Sequence, residues 1–187
     1  MIKSTDETKS EIVVKSSKMI YKGKRINVFK DVIVQPNKET TIREIVSFAD
    51  AAAVVPLTDK NEVILIEQFR YPTGGYIYEI PAGVIDGKEK PIRCAHREME
   101  EEIGFVSKKL TFLGKIFTSP GVCTEKVYLF LAENLQDSTQ QLEHGEDIKI
   151  KKISFNKAIQ MIEKGKIIDA KTICALYLVR EKLTKKC

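Results

Sequence analysis

The sequence predicts a mixed α/β (α+β) protein, and three observations carry that prediction. Ala51–Leu57 and Glu62–Phe69 are near-continuous apolar runs, the pattern of strands covered on both faces. Residues 91–103 repeat apolar side chains at helical spacing and stop at Gly104, as an amphipathic helix does. After Ser154 the chain reads as two further helices, with Ser154 and Asp169 as N-caps and Gly165 ending the earlier one. At 187 residues and 43% hydrophobic, the apolar content suffices for one core of ordinary size.

In chain order, residues 1–10 are polar and expected to fray. From Glu11 to Val46 the pattern is one of strands and turns: Val13–Tyr21, then Arg25–Val34, then a turn at Gln35–Lys38. These strands suggest a small N-terminal antiparallel sheet over residues 1–46, with the main domain over 47–187. Ala51–Leu57 and Glu62–Phe69 are expected to form a hairpin around Thr58–Asn61. A short strand at Tyr76–Ile80 delivers Ala82 and Gly83 to the next segment. Beyond the helix, strands are expected at Leu110–Phe117, Lys126–Ala132 and Asp147–Ile153. Asn134–Gly145 reads as a polar loop, long enough to suggest function. No internal repeat is visible.

The helix at 91–103 carries the chemistry. It holds glutamates at 98, 100, 101 and 102 and ends at Gly104. Like charges at i,i+4 destabilise a helix by roughly 0.2–0.5 kcal/mol per pair. Carboxylates near a helix C-terminus also face the negative end of its dipole. At ~100° per residue, Ile92, Ala95, Met99 and Ile103 share one stripe. Glu98, Glu101 and Glu102 share another, roughly 110° away. Glu100 points elsewhere, to solvent. Pro91 suits the first turn, and Lys90 is no capping residue. Three carboxylates on one turn, with Glu89 in the preceding loop, offer the oxygen donors that hard divalent cations prefer. For the charge run alone, a solvated acidic face is the alternative.

The whole spacing says more. Gly83, Glu89 and Arg97-Glu98-Met99-Glu100-Glu101-Glu102-Ile103-Gly104-Phe105 resemble the Nudix box at every fixed position. Outside the box, Leu65–Arg70, Tyr78–Gly83, Arg43–Val46 leading into Ala51–Leu57, and Ser119-Pro120-Gly121 are similar to the ADP-ribose pyrophosphatase branch of that family. So are Gly145–Ile148 and Gly165–Thr172. The resemblance implies an α/β/α sandwich around a mixed sheet and hydrolysis of a diphosphate joined to a second group, with Mg²⁺ or in its place Mn²⁺. The implied substrate is ADP-ribose, cleaved to AMP and ribose 5-phosphate, and the implied assembly a homodimer joined through the N-terminal sheet.

Site roles follow from the same resemblance. Glu98, Glu102 and Glu101, with the Ala82 carbonyl, are the expected metal ligands. Arg97 is expected to orient Glu89 and the helix carboxylates by bidentate bonding, and Gly83 to permit close approach of the backbone. Glu146 is the expected general base, with Glu143 second, and Glu101 and Arg97 complete the catalytic set. Arg70 and Arg43 are expected on substrate phosphates or the terminal ribose, Glu79 on ribose hydroxyls, and Pro120 in the loop that marks the branch. Phe29 and Tyr21 are candidates to stack on adenine. Neither histidine is assigned a role.

Two other readings change the ligand or the class. One is another nucleoside diphosphate sugar, such as GDP-mannose. The other is a Nudix domain that binds a nucleotide sugar without cleaving it, which the complete set of box carboxylates disfavours. The net charge of +5 suits anionic ligands, but the basic residues are spread along the chain and do not form a nucleic-acid stripe. Cys94, Cys123, Cys174 and Cys187 show no C-x-x-C spacing, so neither a zinc site nor a disulfide framework is expected. With no signal peptide and no membrane-length apolar run, a cytoplasmic location is expected.

Overall fold

The computed structural model describes residues 12–142 and 147–185. The expectations placed on residues 1–10, on Glu143 and Glu146, and on Cys187 lie outside the described residues. Ten strands, three α-helices and a short 3₁₀ helix at Tyr71–Thr73 are described, in two compact units.

Among the described residues, the smaller unit spans 12–48 with the return segment 119–124. Its antiparallel sheet runs β1 (Val13–Lys22), β2 (Ile26–Val34), β3 (Thr40–Phe48), in that order. β3 continues past Val46 to Phe48 and gains a partner. Val46 N–H donates to Val122 O at 2.7 Å, and Thr124 N–H donates back to Val46 O at 3.0 Å. The Thr124 hydroxyl accepts from the Phe48 N–H at 3.0 Å.

In the larger unit, β4 (Ala51–Pro56) is the spine of a mixed sheet ordered β7 (Ala82–Val84), β4, β9 (Lys126–Asp137), β8 (Phe105–Phe117). The β4–β9 pair is parallel and its neighbours are antiparallel. Every β4 residue is buried, and the strand feeds two cores because alternate side chains point to opposite faces. Ala51, Ala53 and Val55 meet α2 (Phe155–Glu163) and α3 (Ala170–Thr184) in one core. Ala52 and Val54 meet α1 (Pro91–Ile103) in the other. Helices on both faces of a mixed sheet make the expected α/β/α sandwich.

The expected hairpin between the two apolar runs does not form. The chain does reverse: Thr58 N–H donates to Glu62 O at 2.9 Å, and one bridge joins Leu57 to Val63. Beyond that bridge, β5 (Glu62–Arg70) leaves for a separate antiparallel sheet, between β10 (Ile148–Ser154) and β6 (Gly75–Glu79). Buried on both faces, β4 and β5 each need covering layers that a two-stranded ribbon lacks. Residues 134–137 also differ from expectation, continuing β9 by pairing with the start of β8 (Phe105↔Asp137, Val106↔Gln136). Their polarity matches their exposure at the sheet's end, and the loop begins only at Ser138.

The local signals hold. Ser154 accepts from Lys157 N–H and Asp169 from Thr172 N–H. Lys90 makes no capping bond, and Gly104 closes α1 at φ 68° with its N–H on Glu100 O, the left-handed conformation glycine tolerates.

Candidate active site

The site is built where β7 and α1 face each other. β7 pairs with β4 (Ala53↔Ala82, Ala52↔Gly83), which fixes the backbone from Ala82 to Val84. α1 buries Cys94, Ala95, Met99, Glu102 and Ile103. Ile92, expected on the buried stripe, is 39% exposed. The buried arc is rotated towards Cys94 and Glu102, which carries the carboxylate of Glu102 inward, 3% exposed. The Ala82 N–H donates to Glu102 Oε2 at 3.0 Å. Glu100, expected in solvent, is half-buried and accepts from the Ser138 hydroxyl at 2.7 Å.

Arg97 organises the remaining carboxylates. Its Nε and Nη2 reach the two oxygens of Glu89 at 3.2 and 3.1 Å, while Nη1 donates to Glu98 Oε1 at 2.6 Å and to Glu101 Oε2 at 3.0 Å. Nη2 also donates to the Val84 carbonyl at 3.1 Å, tying helix to loop. A planar guanidinium with five donors can hold this many acceptors, and an ammonium cannot. These partners raise the Arg97 pKa against the effect of burial, and the Arg97 hydrogen bonds hold the Glu89 carboxyl below its usual range.

Gly83 lies against Glu98. A Cβ built on Gly83 would stand 1.9 Å from Glu98 Oε1 and 2.1 Å from its Cδ, so the carboxylate occupies the space a side chain would need. The Cys94 thiol donates to the Gly83 and Val84 carbonyls at 3.4 Å, and burial pushes its pKa up to about 12. Among the described residues, Cys94, Cys123 and Cys174 form no disulfide.

Three carboxylates on one guanidinium, with Glu102 beside them, form an oxygen-rich anionic group whose donor chemistry fits a hard divalent cation. Among the described residues, no three acidic, histidine or cysteine side chains stand close enough to hold a metal ion. Glu98 and Glu101 turn oxygens onto Arg97.

The expected substrate residues fall in different places. Arg70, at the end of β5, gives Nε and Nη2 to Glu79 at 2.6 and 2.9 Å. Glu79, expected to accept from ribose hydroxyls, is 1% exposed, with both oxygens engaged by Arg70 and Lys171. Burial thus makes it an anchor for two cations. Arg43 and Pro120 belong to the smaller unit. Arg43 donates to Thr41 Oγ1 and Ile42 O on its own strand, and Pro120 sits in the turn closed by Val122 N–H on Ser119 O. Phe29 and Tyr21 lie on the paired strands β2 and β1.

Sequence reasoning missed Lys171, Asp169 and Thr172 as a cluster. One signal was present. Lys171 lies in the first turn of α3, where a cation opposes the helix dipole, so an anionic partner was to be expected.

Residues 47–176 match the family model described as NUDIX domain. The chain is 36% identical over 169 residues to ADP-ribose pyrophosphatase of Bacillus subtilis (strain 168), covering 89% of this chain and 91% of the relative. It is 36% identical over 145 residues to GDP-mannose pyrophosphatase of Yersinia pestis (strain Pestoides F), covering 72% and 73%. The crystal structure of an ADP compounds hydrolase superposes with a TM-score of 0.85 at 24% identity, covering 94% of this chain and 95% of that one. At that identity the superposition shows the fold.

Proposed function

This chain belongs to the Nudix family, and from that premise we propose that it hydrolyses the diphosphate of ADP-ribose to AMP and ribose 5-phosphate with Mg²⁺. The observation that carries the reading is the carboxylate group gathered by Arg97 against Gly83, with Glu102 on the Ala82 N–H. The near full-length relative named ADP-ribose pyrophosphatase supports the substrate.

In this reading Glu98, Glu101 and Glu102, with the Ala82 carbonyl, would hold the divalent ion, with Mn²⁺ as a substitute. When bound, it would supply positive charge for the phosphate oxygens and acidify water. The chain's own groups do the rest. Arg97 fixes Glu98 and Glu101 and, through Glu89 and Val84, the loop that faces them. Arg70 spends two of its five N–H groups on Glu79 and offers the others to the diphosphate. Arg43 and Pro120 keep, as proposals, the substrate roles that the resemblance implies for them. Glu146 takes the proton of the attacking water, with Glu143 second. A homodimer joined through the N-terminal sheet and a cytoplasmic location belong to the same reading. The exposed apolar side chains of β1 support the dimer, and cysteines outside any disulfide suit a reducing compartment.

GDP-mannose is the second reading, favoured by the relatives named for it. Purified protein assayed against ADP-ribose and GDP-mannose with Mg²⁺, products resolved by chromatography, separates the two. AMP and ribose 5-phosphate are expected from ADP-ribose, with loss on chelation. No turnover of ADP-ribose with either Mg²⁺ or Mn²⁺ would overturn the proposal.

A further inference from the structure

The N-terminus of α3 holds a charge network that the chemistry above leaves unused. Lys171 is kept in an unfavourable place for a cation by two anions, Glu79 Oε2 and, at 3.1 Å, Asp169 Oδ2. Asp169 also accepts from the N–H and hydroxyl of Thr172, at 3.0 and 2.6 Å. Thr172 is fully buried, and its Oγ1 accepts the Ile80 N–H at 2.9 Å. Two residues further on, Ala82 N–H meets Glu102. α3 therefore grips the chain at Glu79 and Ile80, between the arginine of β5 and the acidic helix. Glu79 Oε2 is shared: it receives Lys171 Nζ and, at 2.9 Å, Arg70 Nη2.

We propose that Lys171 is a positioning residue which, by sharing the buried carboxylate of Glu79 with Arg70, sets how strongly that arginine is tethered and how much of it remains for a diphosphate. The proposal rests on Arg70 as a diphosphate contact. Without Lys171, Arg70 is the remaining cation on a carboxylate that cannot be left buried and unpaired. Its hold on Glu79 tightens, and the phosphate loses a charge-assisted partner. A contact made equally to bound substrate and transition state is uniform binding, so its loss falls on KM and leaves kcat in place.

The test uses the full chain with Mg²⁺ and the variants Lys171→Met, Lys171→Gln and Lys171→Arg. It reads KM and kcat for ADP-ribose and, by titration calorimetry, Kd for inorganic pyrophosphate. For Lys171→Met, KM and the pyrophosphate Kd are expected to rise about tenfold, the scale of one charged hydrogen bond, with kcat within about twofold. Lys171→Arg, which keeps the charge, restores most of the loss. A purely structural role would lower the melting temperature and leave KM and Kd at wild-type values, and that result overturns the proposal. Should Lys171→Met fail to fold, Lys171→Gln keeps a donor without the charge, and wild-type KM and Kd there overturn it equally. The pyrophosphate arm reads Arg70 whatever the true substrate. A wild type inert towards ADP-ribose therefore sinks the functional reading alone.

Discussion

Gly83 shows how much one residue decides at this site. Its backbone is extended strand with no positive φ, so conformational freedom is not the reason for a glycine. The reason is space, because the Glu98 carboxylate lies where a Cβ would be. Gly83→Ala must push that carboxylate away, and the carboxylate is the far end of a side chain, so the fold loses little. The melting temperature is expected to drop by no more than about 2–4 °C, the equivalent of about 1 kcal/mol at this size. Activity is another matter, since displacement by about 1 Å in a catalytic constellation costs on the order of 10²-fold. Steady-state kinetics beside a thermal melt checks both. Near-normal kcat/KM in Gly83→Ala would remove Glu98 from the proposed metal ligands. The glycine was legible in the sequence only as part of a spacing. What it makes room for became visible when β7 and α1 met.

Among the elements, those written in local chemistry were read correctly and those written in long-range pairing were not. α1 begins and ends where Pro91 and Gly104 placed it, and α2 and α3 begin at their caps Ser154 and Asp169, because caps act within one turn. The reversal at Thr58–Asn61 was also local, but β4 pairs with β7 and with β9, the latter seventy-six residues away at Ala51↔Val127, and no turn residue encodes that. The same limit hid Lys171, whose contact with Glu79 spans ninety-two positions. β1 poses the opposite question. All ten of its residues are exposed, among them Val13, Val14, Met19, Ile20 and Tyr21. An edge strand this long and apolar invites pairing with another chain. Light scattering on eluted protein is expected to give twice the 21.2 kDa chain mass, and Ile20→Lys, which charges the edge, is expected to shift it towards the monomer. A wild type that runs as a monomer would leave β1 without the proposed partner.

Across the whole molecule, the layered architecture follows from β4, β5 and β9 being apolar on both faces, a pattern visible in the sequence. The buried charges inside those layers were not visible, and they govern how the fold responds to acid. Burial alone would push the Glu79 carboxyl up, but the Arg70 hydrogen bonds and the Lys171 charge outweigh it and bring it below the ordinary range. Glu89 is held low chiefly by Arg97. A carboxylate whose folded pKa is depressed favours the fold fully above its unfolded value, near ~4.3 for glutamate, and stops doing so as pH falls through the folded value. The melting temperature is therefore expected to hold steady from neutral pH down to about 5 and to fall below about 4.5. Glu89 is only half-buried and solvent screens part of its share, so the fully buried Glu79 should dominate the decline. Glu79→Gln should melt lower than wild type at neutral pH, because Arg70 and Lys171 lose their common partner. It should also lose less on acidification, because the buried group no longer titrates. Thermal melts of both proteins from pH 7 to 3 decide the matter, and equally steep acid limbs would assign the decline to other carboxylates.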